Sequence, residues 1–216
     1  MYREKNLNLS VGAWGWKHPE WEKDVFYPDD LPVDWQLSYY SNEFDVVVVP
    51  ATYWGVEGYD EEDWLDDVED DFGFYIEWPF LQLSDIEDYK KCVQACTDLG
   101  KQLSAILVNN KIWSDLTQEQ QQWFNELTKS FKVRQFGTGA SVYEYDPVID
   151  DQLDTEKPTD TGVLLLHTDM TESLRELSPR LSKILNSSEI KDIILSSTTP
   201  DIERMKELVT LVDLFA

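Results

Sequence analysis

Three features of this sequence predict an α/β fold built as a TIM-type (β/α)8 barrel. Short, β-rich apolar runs recur at 9–13, 46–49, 72–76, 105–108, 132–136, 142–145, 163–166 and 193–195, which makes eight expected strands. Helical patterns separate most of them, and strand–helix alternation argues for parallel strands joined by right-handed crossovers. Several runs are apolar throughout, as in Val46-Val47-Val48-Val49, which suits strands covered on both faces. Eight such strands close a barrel. The expectation is one domain spanning 1–216.

The elements follow in order. The first run ends in Trp14-Gly15-Trp16-Lys17-His18, a strand that breaks at glycine and delivers aromatic side chains to a loop. After the second strand, Trp64, Leu65, Val68 and Phe72 form one apolar stripe with aspartates and glutamates opposite. The third helix opens with Ser84 and Glu87 in capping-box spacing and stops near Gly100. Thr117 and Gln120 repeat the device in the fourth, which buries Phe124 and Leu127. The last helix starts with Pro200 at a first-turn position and carries Ile202, Met205, Leu208, Val209 and Val212.

The chain has 216 residues, against roughly 250 for a typical barrel of this kind. The shortfall falls in two places. Between Phe136 and Val142 there is too little chain for a helix, and 146–161 reads as an acidic loop containing Pro147 and Pro158. Helices five and six are therefore expected to be eroded, leaving a divergent, incomplete barrel. A hairpin around Gly137-Thr138-Gly139 is the expected local break in the parallel rule.

Charge limits the partners. Eighteen basic against 43 acidic residues give a net charge of −25, which repels nucleic acid and anionic membranes. Solubility, a high-salt environment and a DNA-mimicking surface are the readings of this excess left open, and an acidic protein-interaction module is a further alternative for function. No run reaches the roughly 18 apolar residues of a spanning helix, and the N-terminus resembles no signal peptide. With Cys92 and Cys96 expected as reduced thiols, the predicted location is cytoplasmic.

In a barrel, chemistry belongs at the carboxyl ends of the strands. Reading those positions gives Trp14, Trp16 and His18, then Thr52, Tyr53 and Trp54, then Glu77 and Trp78. Asn109 and, later, Glu144, His167 and Asp169 complete the set. The aromatic residues with His18, Thr52, Asn109, His167 and Asp169 form an expected ligand-binding mouth for a small neutral or cationic molecule, a sugar among them. Glu77 and Glu144 make a carboxylate pair of the type used in glycoside hydrolysis, against the simpler alternative of two solvated strand-end residues. His18, His167 and Asp169, with Glu77, would be the ligands of a divalent metal if one bound; no local motif favours it.

The stretch from Val11 to Trp21 also resembles the opening of the domain-of-unknown-function-72 (YecE-like) family. Phe26-Tyr27-Pro28, Leu31-Pro32, Thr52-Tyr53-Trp54, the Trp64–Pro79 region and Leu164-Leu165-Leu166-His167 follow in the family's order. The resemblance implies a barrel with His167 lining its pocket, and it brings no agreed reaction. It also marks departures. Glu77 stands where the family has a lysine, Arg134-Gln135 where it has an Arg-His cluster, and Ser197-Thr198 where it ends in asparagines. The polar inner shell is thus largely replaced while the aromatic rim remains, which implies binding by a degenerate enzyme.

Overall fold

The computed structural model describes residues 9–54, 61–137, 143–145, 162–167, 174–187, 190–197 and 199–214. Its strands are β1 (Ser10–Trp14), β2 (Val46–Val49), β3 (Gly73–Glu77), β4 (Leu103–Asn109), β5 (Val133–Phe136), β6 (Tyr143–Tyr145), β7 (Val163–Leu166) and β8 (Asp192–Leu195). They form one sheet in the order β5-β4-β3-β2-β1-β8-β7-β6. Every strand pair in it is parallel. That is the neighbour order of a (β/α)8 barrel, interrupted between β5 and β6.

The expected hairpin is not there. β5 runs parallel to β4 and β6 parallel to β7, so the two strands point the same way. The connection 137–142 is longer than a two-residue hairpin turn. β6 pairs instead with the wholly apolar β7.

The sheet curls strongly. Trp14 on β1 and Phe136 on β5 lie four strands apart, a separation of roughly 19 Å on a flat sheet at about 4.8 Å per strand. Their rings are 5.2 Å apart. Likewise the Tyr75 hydroxyl on β3 donates to Asp192 on β8 at 2.6 Å, across β2 and β1. The curled sheet encloses a small inner core of Val46, Val48, Leu107, Leu165 and Ile194, with Trp14 and Phe136 at its edge. A much larger outer core lies between the strands and the helices.

Helices α1 (Gln36–Ser41), α2 (Glu61–Asp66), α3 (Ile86–Asp98), α4 (Gln118–Ser130), α5 (Leu174–Ser187) and α6 (Ile202–Asp213) follow β1, β2, β3, β4, β7 and β8. Among the described residues no helix lies between β5 and β6, which only 137–142 separate in the sequence. The stretch 146–161, expected to lack helix six, lies outside the described residues. Among the described residues no helix is long and apolar enough to cross a membrane.

Two helix starts differ in detail from their sequence signals. α3 is capped by Asp85, whose carboxylate accepts from the backbone N–H groups of Glu87 and Asp88. Ser84 lies one residue too early and instead donates its hydroxyl to Asp88 at 2.6 Å. α6 is capped by Asp201 rather than started by Pro200. The Pro200 carbonyl lies outside the helix and accepts the Trp21 indole N–H at 2.6 Å. The Thr117–Gln120 capping box of α4 forms as expected.

Candidate functional site

The carboxyl end of β1 is shaped by Gly15, whose φ of +87° takes the chain out of the strand while its N–H still donates to Val48 at 2.8 Å. A side chain there would meet the Tyr53 hydroxyl at 3.0 Å in a left-handed backbone. The turn divides the tryptophans. Trp14 faces the inside of the curled sheet, and Trp16 goes to the outer core at 2% exposure.

Trp54 and Trp78 join Trp16 in that outer core. Trp16 meets Tyr53 and Trp64 edge-on. Trp54 packs edge-on against Trp78, and its indole N–H donates to the Glu77 carbonyl. Alternation along the strand explains Trp78, since the residue after the inward-facing Glu77 must point outward. Thr52 is exposed, and the Tyr53 hydroxyl is occupied by the Lys17 backbone, donating to its carbonyl at 3.1 Å and accepting its N–H at 3.2 Å.

His18 is also withdrawn from the mouth. It is buried with its ring 4.3 Å from that of Trp21, and its Nε2 donates to the Gly15 carbonyl. Burial holds its pKa below the ordinary imidazole value, against smaller opposing effects of the Gly15 carbonyl and Glu20. It is a neutral, packed histidine.

What the inner face does assemble is a line of side chains across the mouth. Glu77 accepts the Ala51 N–H at 2.9 Å and a hydrogen bond from the Trp14 side chain. Burial raises its pKa above the usual glutamate value in spite of both donors. Trp14 rests edge-on against Phe136. Beyond Phe136, Gly137 turns with φ +91° and donates its N–H to Glu144 on β6.

The opposite Glu144 oxygen receives His167 Nε2, at the end of β7, at 2.9 Å. Burial alone would raise the Glu144 pKa, but the His167 hydrogen bond, the Gly137 N–H and the charges of His167 and Lys111 together hold it below the usual value. Glu144 is therefore ionised and accepts only, so the proton of this bond sits on His167 Nε2. The two side chains remain reachable, at 33% exposure for His167 and 26% for Glu144.

Asn109 borders the same turn. Its side-chain oxygen accepts the Lys111 N–H at 2.9 Å and would lie 3.2 Å from a side chain added at Gly137. Asp169 falls outside the described residues. Of the sequence candidates, then, Trp14, Glu77, Asn109, Glu144 and His167 gather at the inner mouth, while Trp16, His18, Trp54 and Trp78 do not. Phe136 and Lys111 were missed. Counting by two back along β5 would have found Phe136 as an inward residue.

The site offers two carboxylates of opposite protonation tendency, an imidazole oriented by one of them, and an indole between. Among the described residues no group of three or more His, Cys, Asp or Glu could hold a metal ion. Of the expected set of His18, His167 and Asp169, His18 is packed against Trp21 with its Nε2 already bonded to the Gly15 carbonyl.

No curated protein matches this chain. Among solved structures, a DUF72 family protein from Enterococcus faecalis is similar, with a TM-score of 0.55 and 11% identity over 95% of this chain and 94% of that one. At that identity the likeness speaks for the fold. Residues 10–135, from β1 to β5, match the family model described as protein of unknown function DUF72. With more than half of its length matched in order, this chain belongs to the DUF72 family.

Proposed function

We propose that the mouth of this divergent barrel binds a small polyhydroxylated or cationic molecule. The observation that carries this reading is the partly exposed Glu144–His167 pair, its carboxylate held ionised, on the same inner face as the indole of Trp14. An ionised carboxylate accepts from hydroxyl or ammonium donors, the imidazole supplies a second polar contact, and the Trp14 face packs on a ring or an alkyl chain. The pocket takes one aromatic face where the sequence alone suggested several.

A thermal-shift screen of sugars, polyols and small amines tests it. A saturable rise in Tm, lost in Glu144→Gln and in Trp14→Ala but kept in Trp54→Phe, is the expected result. A ligand whose effect survives both mouth substitutions counts against the site.

The opposed ionisation of Glu77 and Glu144 favours a second reading, glycoside hydrolysis. Carboxyl pairs whose surroundings push their pKa values apart divide into acid and base. Glu77 would protonate the leaving oxygen and Glu144 would activate water or attack the sugar. Activity on aryl glycosides that falls by at least about a hundredfold in either Glu→Gln variant would support it. No turnover alongside tight sugar binding would leave binding as the function.

A further inference from the structure

A second concavity lies away from the mouth, on the outer flank of the connection between β1 and α1. It has a volume of about 240 Å³, and Tyr27 and Gln36 form its most buried lining. The Tyr27 hydroxyl is committed to the Trp16 carbonyl at 2.6 Å, so this residue offers the pocket its ring. Gln36 is different. It is only 5% exposed, yet its amide makes no side-chain hydrogen bond to any described residue. The amide atoms themselves are not fully enclosed: they meet the solvent of the pocket, and a ligand that displaces that water has to return their hydrogen bonds.

The remaining lining is of two kinds. Pro28, Leu31 and Val33 supply apolar wall, while Glu22, Lys23 and Asp29 supply exposed charge of both signs. Backbone strain accompanies them. Lys23 and the adjacent Asp24 both adopt left-handed conformations, with φ of 58° and 62°, which non-glycine residues rarely share. Asp24 fastens the turn by accepting the Asp29 N–H at 3.1 Å and donating its own N–H to Tyr27 at 3.1 Å. The strained turn thus sets Lys23 and Asp29 in the wall of the pocket that the Gln36 amide also lines.

We propose that this pocket is a binding site for a small zwitterion of the amino-acid class. A net anion would face Glu22 and Asp29, and a net cation would face Lys23; a zwitterion has a partner for each end. The Gln36 amide, able both to donate and to accept, meets the carboxylate, the ammonium or a side-chain carboxamide of the ligand. The space corresponds to on the order of eight water molecules, which a free amino acid fills. This site is independent of the one at the barrel mouth.

The test is an NMR titration of the full-length protein with the common amino acids, L-glutamine among them, and with the matching deaminated acids as controls. Saturable shifts of the Gln36 side-chain amide and the Tyr27 ring are expected with an amino acid and absent with its deaminated analogue. Gln36→Leu should weaken binding at least tenfold while leaving Tm unchanged or raised, because the amide has no partner among the described residues to lose. Glu144→Gln at the mouth should leave the titration unaltered. Absence of saturable shifts from every amino acid into the millimolar range would overturn the proposal. So would a Gln36→Leu variant that melts several degrees lower, since that would make the amide a structural one.

Discussion

Tyr40 shows how much of this fold rests on single atoms. Its hydroxyl, fully buried, accepts the Ala13 N–H at 2.8 Å and donates to the Val46 carbonyl at 3.0 Å. It stands between β1 and β2 where their backbones would otherwise bond directly, so Tyr40→Phe strands two buried groups. The expected loss is about 2 kcal/mol or more, read by urea denaturation. Next to it, a side chain at Gly12 would come within 1.9 Å of the Val46 oxygen. Gly12→Ala should cost about 3 kcal/mol or more, since backbone has to move.

The two mouth glutamates should respond to pH in opposite senses. Glu144, held below the ordinary value near 4.5, contributes stability that is present above that value and lost as pH falls through its folded pKa. Glu77, held above it, contributes stability only while protonated, and that is lost as pH rises from about 4.5 through its raised folded value. Glu144→Gln should therefore destabilise at neutral pH and converge on the parent in acid. Glu77→Gln should do the reverse, gaining at neutral pH. Denaturation curves at intervals from about pH 4 to 8 check both. The identities of these residues were legible in the sequence, but not their pairing: nothing in the order of residues announces that Gly137 and His167 would both bond Glu144.

At the scale of elements, strands were more legible than caps. An apolar run such as Val46–Val49 has one plausible fate, whereas three adjacent residues, Ser84, Asp85 and Ile86, compete to begin α3. Asp85 prevails because its carboxylate reaches two N–H groups at once, at 2.9 and 3.0 Å. Asp85→Ala should cost about 1 kcal/mol, and Thr117→Ala in α4 a similar amount, each read as a fall in Tm. The helix α5 was left unassigned, although Leu177, Leu181, Ile184 and Leu185 form a buried stripe at helical spacing; Pro179 inside it works against that signal. The tryptophans were misplaced for a related reason. Their positions at strand ends were clear, but the face each took depended on the Gly15 turn and on strand parity carried into the loops.

Over the whole molecule, the net charge of −25 is the strongest unbalanced force. The described ion pairs are mostly exposed neighbours along one helix, such as Lys90–Glu87, Lys129–Glu126 and Arg204–Glu207, each worth little. Self-repulsion should therefore dominate the salt response, with Tm rising as sodium chloride screens charges over a Debye length of about 10 Å at 0.1 M. A flat or falling Tm would mean that local pairs outweigh it. The order of the sheet was legible from strand count and alternation. Its break at 136–142 was legible too, from the shortage of chain there, but not that β5 and β6 would point the same way instead of forming a hairpin.

That interruption has a practical meaning. Across β5 and β6 the described contact is a side-chain clasp, Glu144 on the Gly137 amide, whereas β1 and β8 are zipped by four residue pairs. The family model also ends at residue 135, on the same side of the gap. A chain cut between β5 and β6 would lose none of the described strand ladders. Expressed as two fragments, the pieces should recognise one another through the edges of β1 and β8 and reassemble, so that the protein behaves as a naturally drawn two-part complementation pair.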